Sequence, residues 1–170
     1  FKRLERHGHP RIVYLEDVRA TVSFGDKLRG LRDWSKPLVA RPADDRAAIL
    51  FTSGSEGVPK GVVLSHRNIV EGARSVSRYL ENTRDDRILA VLPLSFDYGL
   101  SQLTTSFLVG ATAVLHNYLL PQDVIRALVR ERITGLAAVP PLWIQLAGPD
   151  WPAEVNEHLR YFTNSGGAMP

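Results

Sequence analysis

Residues 47–64 read Ala-Ala-Ile-Leu-Phe-Thr-Ser-Gly-Ser-Glu-Gly-Val-Pro-Lys-Gly-Val-Val-Leu. The apolar run 47–51 predicts a buried strand, and the run 62–64 predicts a short second strand. The ten residues between them, 52–61, hold three hydroxyl groups, three glycines and one lysine. Glycine lets backbone N–H groups approach an anion, hydroxyls donate hydrogen bonds to it, and lysine adds a mobile charge. The composition of this loop therefore indicates a phosphate cradle.

The loop differs from the P-loop of nucleotide triphosphatases. That motif ends in Gly-Lys-Ser/Thr and opens a helix, so that the phosphate lies on a helix N-terminus. Here Pro59 precedes Lys60, Gly61 follows it, and a strand comes next. A flexible Gly/Ser linker with an incidental lysine is the alternative interpretation of the same residues.

Outward from this loop, predicted strands alternate with predicted helices. Ser65 is a good N-cap, and behind it Ile69, Ala73, Val76 and Leu80 fall on one helical face. Further strands are predicted at 11–15, 88–92, 111–115, 136–139 and 161–162. Further helices are predicted at 100–109 between Gly99 and Gly110, from Pro121 onward and at 142–147, and Phe24, Leu28 and Leu31 form a weak helical pattern. Continuous apolar strands alternating with helices predict an α/β fold, with a mostly parallel sheet covered by helices on both faces. Ligands then belong in the loops after Phe51, Leu92, Val139 and Phe162.

Composition excludes several classes of protein. The chain has 170 residues, of which 44% are hydrophobic and 23% charged, which is typical of a globular domain. It has no cysteine, which excludes disulfides and thiolate sites and fits a reducing compartment, so we expect a cytoplasmic protein. No apolar run approaches the roughly 18 residues of a membrane span. The net charge of +3 lies in the N-terminal stretch without a dense basic stripe, so we expect no nucleic-acid binding.

The stretch Thr52–Gly61 resembles the signature of the adenylate-forming superfamily, whose pattern is Thr-Ser-Gly-Ser/Thr-Thr-Gly-x-Pro-Lys-Gly. Nine of the ten positions agree, and the exception is Glu56, where the family usually has Thr. Glutamate there resembles a branch that loads long acyl chains, including ligases linked to bacterial exosortase systems. A carboxylate beside a triphosphate costs Coulomb energy unless it points away or meets Mg²⁺.

Three further segments resemble family blocks. Residues 93–99, Pro-Leu-Ser-Phe-Asp-Tyr-Gly, are similar to the block that lines the carboxylate pocket, with Phe96 where acyl-CoA synthetases often carry histidine. Residues 164–170 resemble the Gly-Gly-Ala turn on which adenine stacks, and 139–142 resemble the entry to the acyl-pocket helix. The resemblance covers about 40–170 and implies a partial AMP-binding domain there. Residues 1–39 form a lead-in region without a usable motif.

The resemblance implies a two-step reaction. A carboxylate, in particular of a fatty acid, attacks the α-phosphate of ATP to give acyl-adenylate and pyrophosphate, and a thiol of CoA or an acyl carrier protein then takes the acyl group. ATP and Mg²⁺ are the implied cofactors, Lys60 the implied catalytic residue, and no residue of the chain is assigned as a metal ligand. The implied ATP-binding residues are Thr52, Ser53, Gly54, Ser55, Gly57, Lys60, Ser165, Gly166, Gly167 and Ala168. The implied substrate pocket contains Phe96, Asp97, Tyr98 and Trp143.

Parts of the family pattern lie outside these 170 residues, among them a Glu for Mg²⁺, an Asp for the ribose and a C-terminal domain with a lysine. We therefore expect a fragment of the N-terminal domain of an acid–thiol ligase, without the C-terminal domain and inactive by itself. Two other functions stay open. Ser95-Phe96-Asp97 is similar to amino-acid-activating adenylation domains of peptide synthetases, where the Asp holds an α-amino group. A non-catalytic nucleotide-binding module is the other alternative.

Overall fold

The computed structural model describes residues 23–26, 28, 39–52 and 59–169. The chain divides into two compact units, residues 1–40 and 41–170. Within the first unit, residues 24–26 and 28 are helical, as the spacing of Phe24 and Leu28 predicts. The Asp26 carboxylate accepts hydrogen bonds from the backbone and hydroxyl of Ser23 at this helix start. The strand predicted at 11–15 lies outside the described residues.

The second unit begins with a two-stranded antiparallel hairpin. Strand β1, Arg46–Thr52, pairs with β2, Lys60–Ser65, so that Ile49 lies opposite Val63 and Thr52 opposite Lys60. The prediction that 47–51 is a buried strand is wrong in its burial, because Ile49 is 52% exposed and Phe51 is 66% exposed. An apolar run shows that a strand is favoured but not how many elements cover it, and this hairpin lies outside the larger sheet.

Helix α1, His66–Tyr79, follows β2 directly. Its capping box is complete: the Asn68 N–H donates to the Ser65 hydroxyl, and the Ser65 N–H donates to the Asn68 side chain. Ala73 is buried, and the other residues of the predicted apolar face are partly buried. The predicted N-cap and inward face of this helix are both confirmed.

The four other strands in the described part of the chain form one parallel sheet. They are β3, Arg87–Ala90; β4, Thr112–Leu115; β5, Gly135–Ala138; and β6, Tyr161–Asn164. Their order across the sheet is β4-β3-β5-β6, and every pair is parallel. The sequence-based prediction of a mostly parallel α/β fold is confirmed.

Three helices and one short 3₁₀ helix connect these strands: α2, Asp97–Val109; α3, Pro121–Arg130; α4, Pro140–Leu146; and the 3₁₀ helix Ala153–Glu157. Helix α2 begins at Asp97 rather than at the predicted residue 100, because the extended Phe96 is its N-cap and Gly99 lies inside its first turn. It ends at Gly110, which has a left-handed φ of 75°. Pro121 opens α3 as predicted.

The helices cover both faces of the parallel sheet. Helix α2 packs against β3 and β4. Side chains of α3 and α4 join Leu89 and Leu136 in the main hydrophobic core. Because successive strand residues point to opposite faces, Leu89 and Leu136 mark the α3/α4 face, and Ile88 and Ala137 mark the other.

The strand order creates a switch point in this sheet. The chain leaves β3 toward β4 on one side and leaves β5 toward β6 on the other, although β3 and β5 are neighbours. In open α/β sheets, ligands bind in the crevice outside the carboxyl ends of such strands. The loops that start at Val91 and Val139 flank this crevice. No helix among the described residues is long and apolar enough to cross a membrane.

Candidate functional site

The ends of the predicted phosphate loop are held together by the hairpin. Thr52 and Lys60 are partners in the antiparallel register, and the Thr52 hydroxyl donates to the Lys60 carbonyl at 3.4 Å. Both side chains are exposed among the residues that the structure describes. Ser53, Gly54, Ser55 and Gly57 lie outside the described residues. The hairpin thus places a cation at the exit of the loop.

The segment after β3 is a tight turn at the switch point. The Phe96 N–H donates to the Pro93 carbonyl, and the chain enters α2 at once. Gly99 is required here, because a Cβ at this position would overlap the Pro93 carbonyl oxygen. The Asp97 carboxylate accepts from the N–H of Tyr98 and borders a cleft of about 120 Å³ between the hairpin, α1 and α2.

Two aromatic residues of the predicted substrate pocket lie together. The rings of Phe96 and Tyr98 meet edge to face, with centroids 6.5 Å apart. The Tyr98 phenol is half-buried and shares a hydrogen bond with the hydroxyl of Thr163 near the end of β6. Burial raises the pKa of the Tyr98 phenol, although the Thr163 hydroxyl opposes this shift. The phenol therefore stays neutral and fixed in position.

Trp143 is separate from these aromatic residues. Thr163 pairs with Ala137, and Phe162 pairs with Leu136, so Tyr98 reaches one face of the sheet while Phe162 lies on the other. Trp143 packs on Phe162 at a centroid distance of 5.3 Å. It lines an apolar cavity of about 560 Å³ with Trp151, Phe162 and Met169. The structure therefore does not bring Trp143 together with Phe96 and Tyr98.

The predicted adenine turn follows β6. Gly166 has a φ of 84°, which favours glycine, and the whole turn 165–168 is exposed. Gly167 lies against Pro140, since a Cβ on Gly167 would come within 3.1 Å of the Pro140 ring. Ser165, Gly166, Gly167 and Ala168 thus lie at the carboxyl edge of the sheet, next to the start of α4.

Sequence reasoning gave no role to two residues that anchor this edge, Thr163 and Asn164, although Asn164 opens the segment 164–170. Thr163 binds Tyr98, and the Asn164 side-chain amide donates to the Gly167 carbonyl at 2.8 Å. Their partners are distant or lie in a turn, and no periodic pattern marks them. Hydroxyl and amide residues at the end of an otherwise apolar strand were the available signal.

The opposite edge of the sheet carries a polar network that sequence reasoning also missed. The buried Asp86 carboxylate accepts from the Thr83 N–H, from the Thr134 hydroxyl and from the Arg160 guanidinium, the last at 2.9 Å. Burial alone would raise the pKa of Asp86, but these hydrogen bonds and the Arg160 charge together hold it below its usual value. This network precedes β3, β5 and β6, and lies away from the candidate site.

Comparisons with known proteins identify the family. The model of the AMP-binding enzyme family matches residues 2–170. The chain therefore belongs to the AMP-binding enzymes, also known as the adenylate-forming superfamily. The match also takes in residues 2–39, which lie in the stretch for which the motifs gave no role.

Relatives of two kinds are similar to this chain. The medium-chain fatty-acid–CoA ligase of Escherichia coli is 35% identical over 130 residues, which are 75% of this chain and 23% of that protein. The phosphinothricin tripeptide synthetase PhsC of Streptomyces viridochromogenes is 41% identical over 102 residues, 58% of this chain and 9% of that protein. The chain spans about a quarter or less of the length of these two relatives.

A solved structure supports the same fold. ATP-bound MatB from Rhodopseudomonas palustris superposes with a TM-score of 0.66 and 29% sequence identity, over 73% of this chain and 25% of that one. The parallel sheet and its helices are therefore those of an adenylate-forming enzyme.

Proposed function

We propose that this chain supplies part of the ATP site and part of the acid site of an AMP-forming ligase. The reaction joins a carboxylic acid, in particular a fatty acid, to a thiol of CoA or of an acyl carrier protein. The observation that carries the proposal is the match of residues 2–170 to the AMP-binding enzymes, together with the Thr52–Lys60 pair of the hairpin at the two ends of the signature loop. The similarity to a fatty-acid–CoA ligase supports a fatty acid as the acid substrate and CoA as the thiol substrate.

The hairpin residues suit a triphosphate. Lys60 is exposed beside the loop. We propose that it is a catalytic residue, because its positive charge would neutralise the pyrophosphate as it leaves. The hydroxyls of Thr52, Ser53 and Ser55 and the N–H groups of Gly54 and Gly57 are proposed to bind the phosphates. Mg²⁺ would supply further positive charge to the triphosphate. No group of three or more His, Asp or Glu that could hold a metal occurs in the described part of the chain.

The turn 165–168 suits a flat base. No residue in it carries a side chain larger than that of serine, and all four are exposed, so their backbone offers an open surface. We therefore assign Ser165, Gly166, Gly167 and Ala168 to the adenine.

Phe96, Asp97 and Tyr98 are proposed to border the acid, because they follow β3 at the switch point. Trp143 is retained in the acid pocket only as a prediction, since it lines a cavity on the other face.

Amino-acid activation is the second candidate function. Asp97 keeps an exposed carboxylate at the first turn of α2, and a tripeptide synthetase is among the similar proteins. An exposed carboxylate in this place could pair with an α-ammonium group. Placement in the exosortase-linked branch, the division of the chain at residues 39 and 40, and a cytoplasmic location stay predictions.

Titration of the 170-residue chain with Mg-ATP in a calorimeter tests the ATP site. Binding is expected, and Lys60→Ala is expected to weaken it roughly ten- to hundredfold, the value of a charged hydrogen bond. Arg84→Ala is the matched control, because Arg84 is an exposed cation ahead of β3, at the other edge of the sheet. Equal binding by the Lys60→Ala variant and the wild type would contradict the role of Lys60.

ATP–pyrophosphate exchange by the protein as its gene encodes it tests the substrate. We expect exchange that depends on fatty acids. Exchange that depends on amino acids would establish the second candidate function. ATP binding without exchange for either class would leave a non-catalytic nucleotide-binding module.

A further inference from the structure

The carboxamide of Asn164 closes the turn that follows β6. Its Nδ2 donates to the carbonyl oxygen of Gly167 at 2.8 Å, three residues further along the chain. Only the NH₂ group of a carboxamide can donate to a carbonyl, so the orientation of the amide is fixed by chemistry. Its other atom, Oδ1, is buried and has no hydrogen-bond partner among the residues that the structure describes.

This contact is not needed to close the core. Gly167 is exposed, so water would satisfy its carbonyl in the absence of Asn164. The unpartnered Oδ1 is a cost to the fold, because a buried acceptor has lost its water without gaining a donor. An apolar side chain at 164 would remove that cost. The carboxamide therefore serves the shape of the turn more than the stability of the sheet.

The turn needs such a contact because its own residues give it little rigidity. Gly166 is in the left-handed region at a φ of 84°, and glycine loses the most conformational freedom when it is fixed. Gly167 packs against Pro140 but carries no side chain of its own. The Asn164–Gly167 hydrogen bond spans both glycines, from the last residue of β6 to the far side of the turn.

We propose that Asn164 is a positioning residue that holds the turn 165–168 in the conformation that receives the nucleotide base. This inference rests on the proposed function of that turn. The carboxamide acts through the backbone and does not itself touch the base. Without it, the two glycines sample other conformations, and binding of the base has to order them again.

The test uses Asn164→Ala in the 170-residue chain, with Asn156→Ala as the matched control at an exposed position of the 3₁₀ helix. Calorimetry measures the Kd for Mg-ATP, thermal unfolding measures stability, and the amide ¹H–¹⁵N shifts of Gly166, Gly167 and Ala168 report the turn without nucleotide. We expect shifted turn amides, a roughly tenfold higher Kd and a Tm within about 2 °C of wild type. Asn164→Gln, which keeps an NH₂ donor, is expected to recover part of the affinity.

Other outcomes overturn the inference in distinguishable ways. Unchanged turn amides would show that the contact does not shape the turn. Shifted amides with an unchanged Kd would show that the shape of the turn does not matter to the nucleotide. If the wild type binds no ATP, the proposed function fails first, and the contact between Asn164 and Gly167 has only a structural role. A large fall in the Tm of Asn164→Ala would mean that Asn164 stabilises the fold.

Discussion

The phenol oxygen of Tyr98 and the hydroxyl oxygen of Thr163 are 2.5 Å apart and join the first turn of α2 to the end of β6. Tyr98 belongs to the segment assigned to the acid, and Thr163 stands two residues before the turn assigned to adenine. One hydrogen bond therefore links the two halves of the candidate site across the sheet edge.

Removing either partner of this bond should destabilise the protein. We expect Tyr98→Phe and Thr163→Val each to lower the free energy of unfolding by about 1 kcal/mol. The double variant should cost little more than either single one, because the same bond is lost in each case. Urea unfolding measures the cycle, with Tyr79→Phe as the control at an exposed tyrosine. Fully additive costs would mean that the two hydroxyl groups do not interact.

Two glycines in helices should respond in opposite directions to the same substitution. Gly99→Ala should lower the free energy of unfolding by about 1–3 kcal/mol, because the added Cβ meets the Pro93 carbonyl. Gly72→Ala should raise it by roughly 0.5–1 kcal/mol, because the space around Gly72 in α1 is open and alanine favours a helix. Chemical denaturation measures both variants. Similar changes in the free energy of unfolding of the two variants would show that the turn after β3 can move to accommodate a Cβ at residue 99.

Asp86 should make the free energy of unfolding depend on pH. Its pKa is lowered in the folded protein, so its contribution is complete above the unfolded value of about 3.9 and is lost as the pH falls through the lower folded value. The free energy of unfolding of the wild type should therefore exceed that of Asp86→Asn at neutral pH, and this difference should shrink below about pH 4. Urea midpoints from pH 7 to pH 2 measure the difference. Asp85→Asn, at an exposed neighbour, should follow the wild type, and a constant gap for Asp86→Asn would contradict the assignment.

The N-cap of α1 should carry a measurable part of the stability. Ser65→Ala removes the acceptor of the Asn68 N–H and should cost about 1 kcal/mol, or a fall in Tm of about 2–4 °C for a chain of this size. Ser75→Ala, at an exposed position inside the same helix, is the control and should change the Tm by much less. Differential scanning calorimetry separates the two.

Local signals predicted most of the elements. Ser65, Pro121 and Gly110 mark helix ends through capping chemistry that depends only on near neighbours, and the structure confirms all three. The central strands β3 and β5 are continuous apolar runs because helices cover both of their faces, whereas the edge strands β4 and β6 keep exposed residues such as Leu115 and Phe162. Helix α2 starts three residues before the predicted residue 100, because Gly99, which the pattern marks as a boundary, is a site of close packing inside the first turn.

Long-range relationships could not be predicted in the same way. The half-exposed hairpin has the same kind of apolar run as the buried strands, so its burial was predicted wrongly. Asp86, Thr134 and Arg160 are separated by tens of residues, and only the strand order brings them together. The signature loop was recognised from its residue types and spacing, which belong to one continuous segment. The contact of Tyr98 with Thr163 depends on where β6 lies relative to α2.

The polar network of Asp86 stands at the amino ends of the strands, whereas the candidate site stands at their carboxyl ends. Natural or engineered variants can thus strengthen the scaffold at one rim without touching recognition at the other. If the loops after β3 and β5 border the acid as proposed, substitutions there change substrate preference without disturbing the Asp86 network that stabilises the other edge of the sheet.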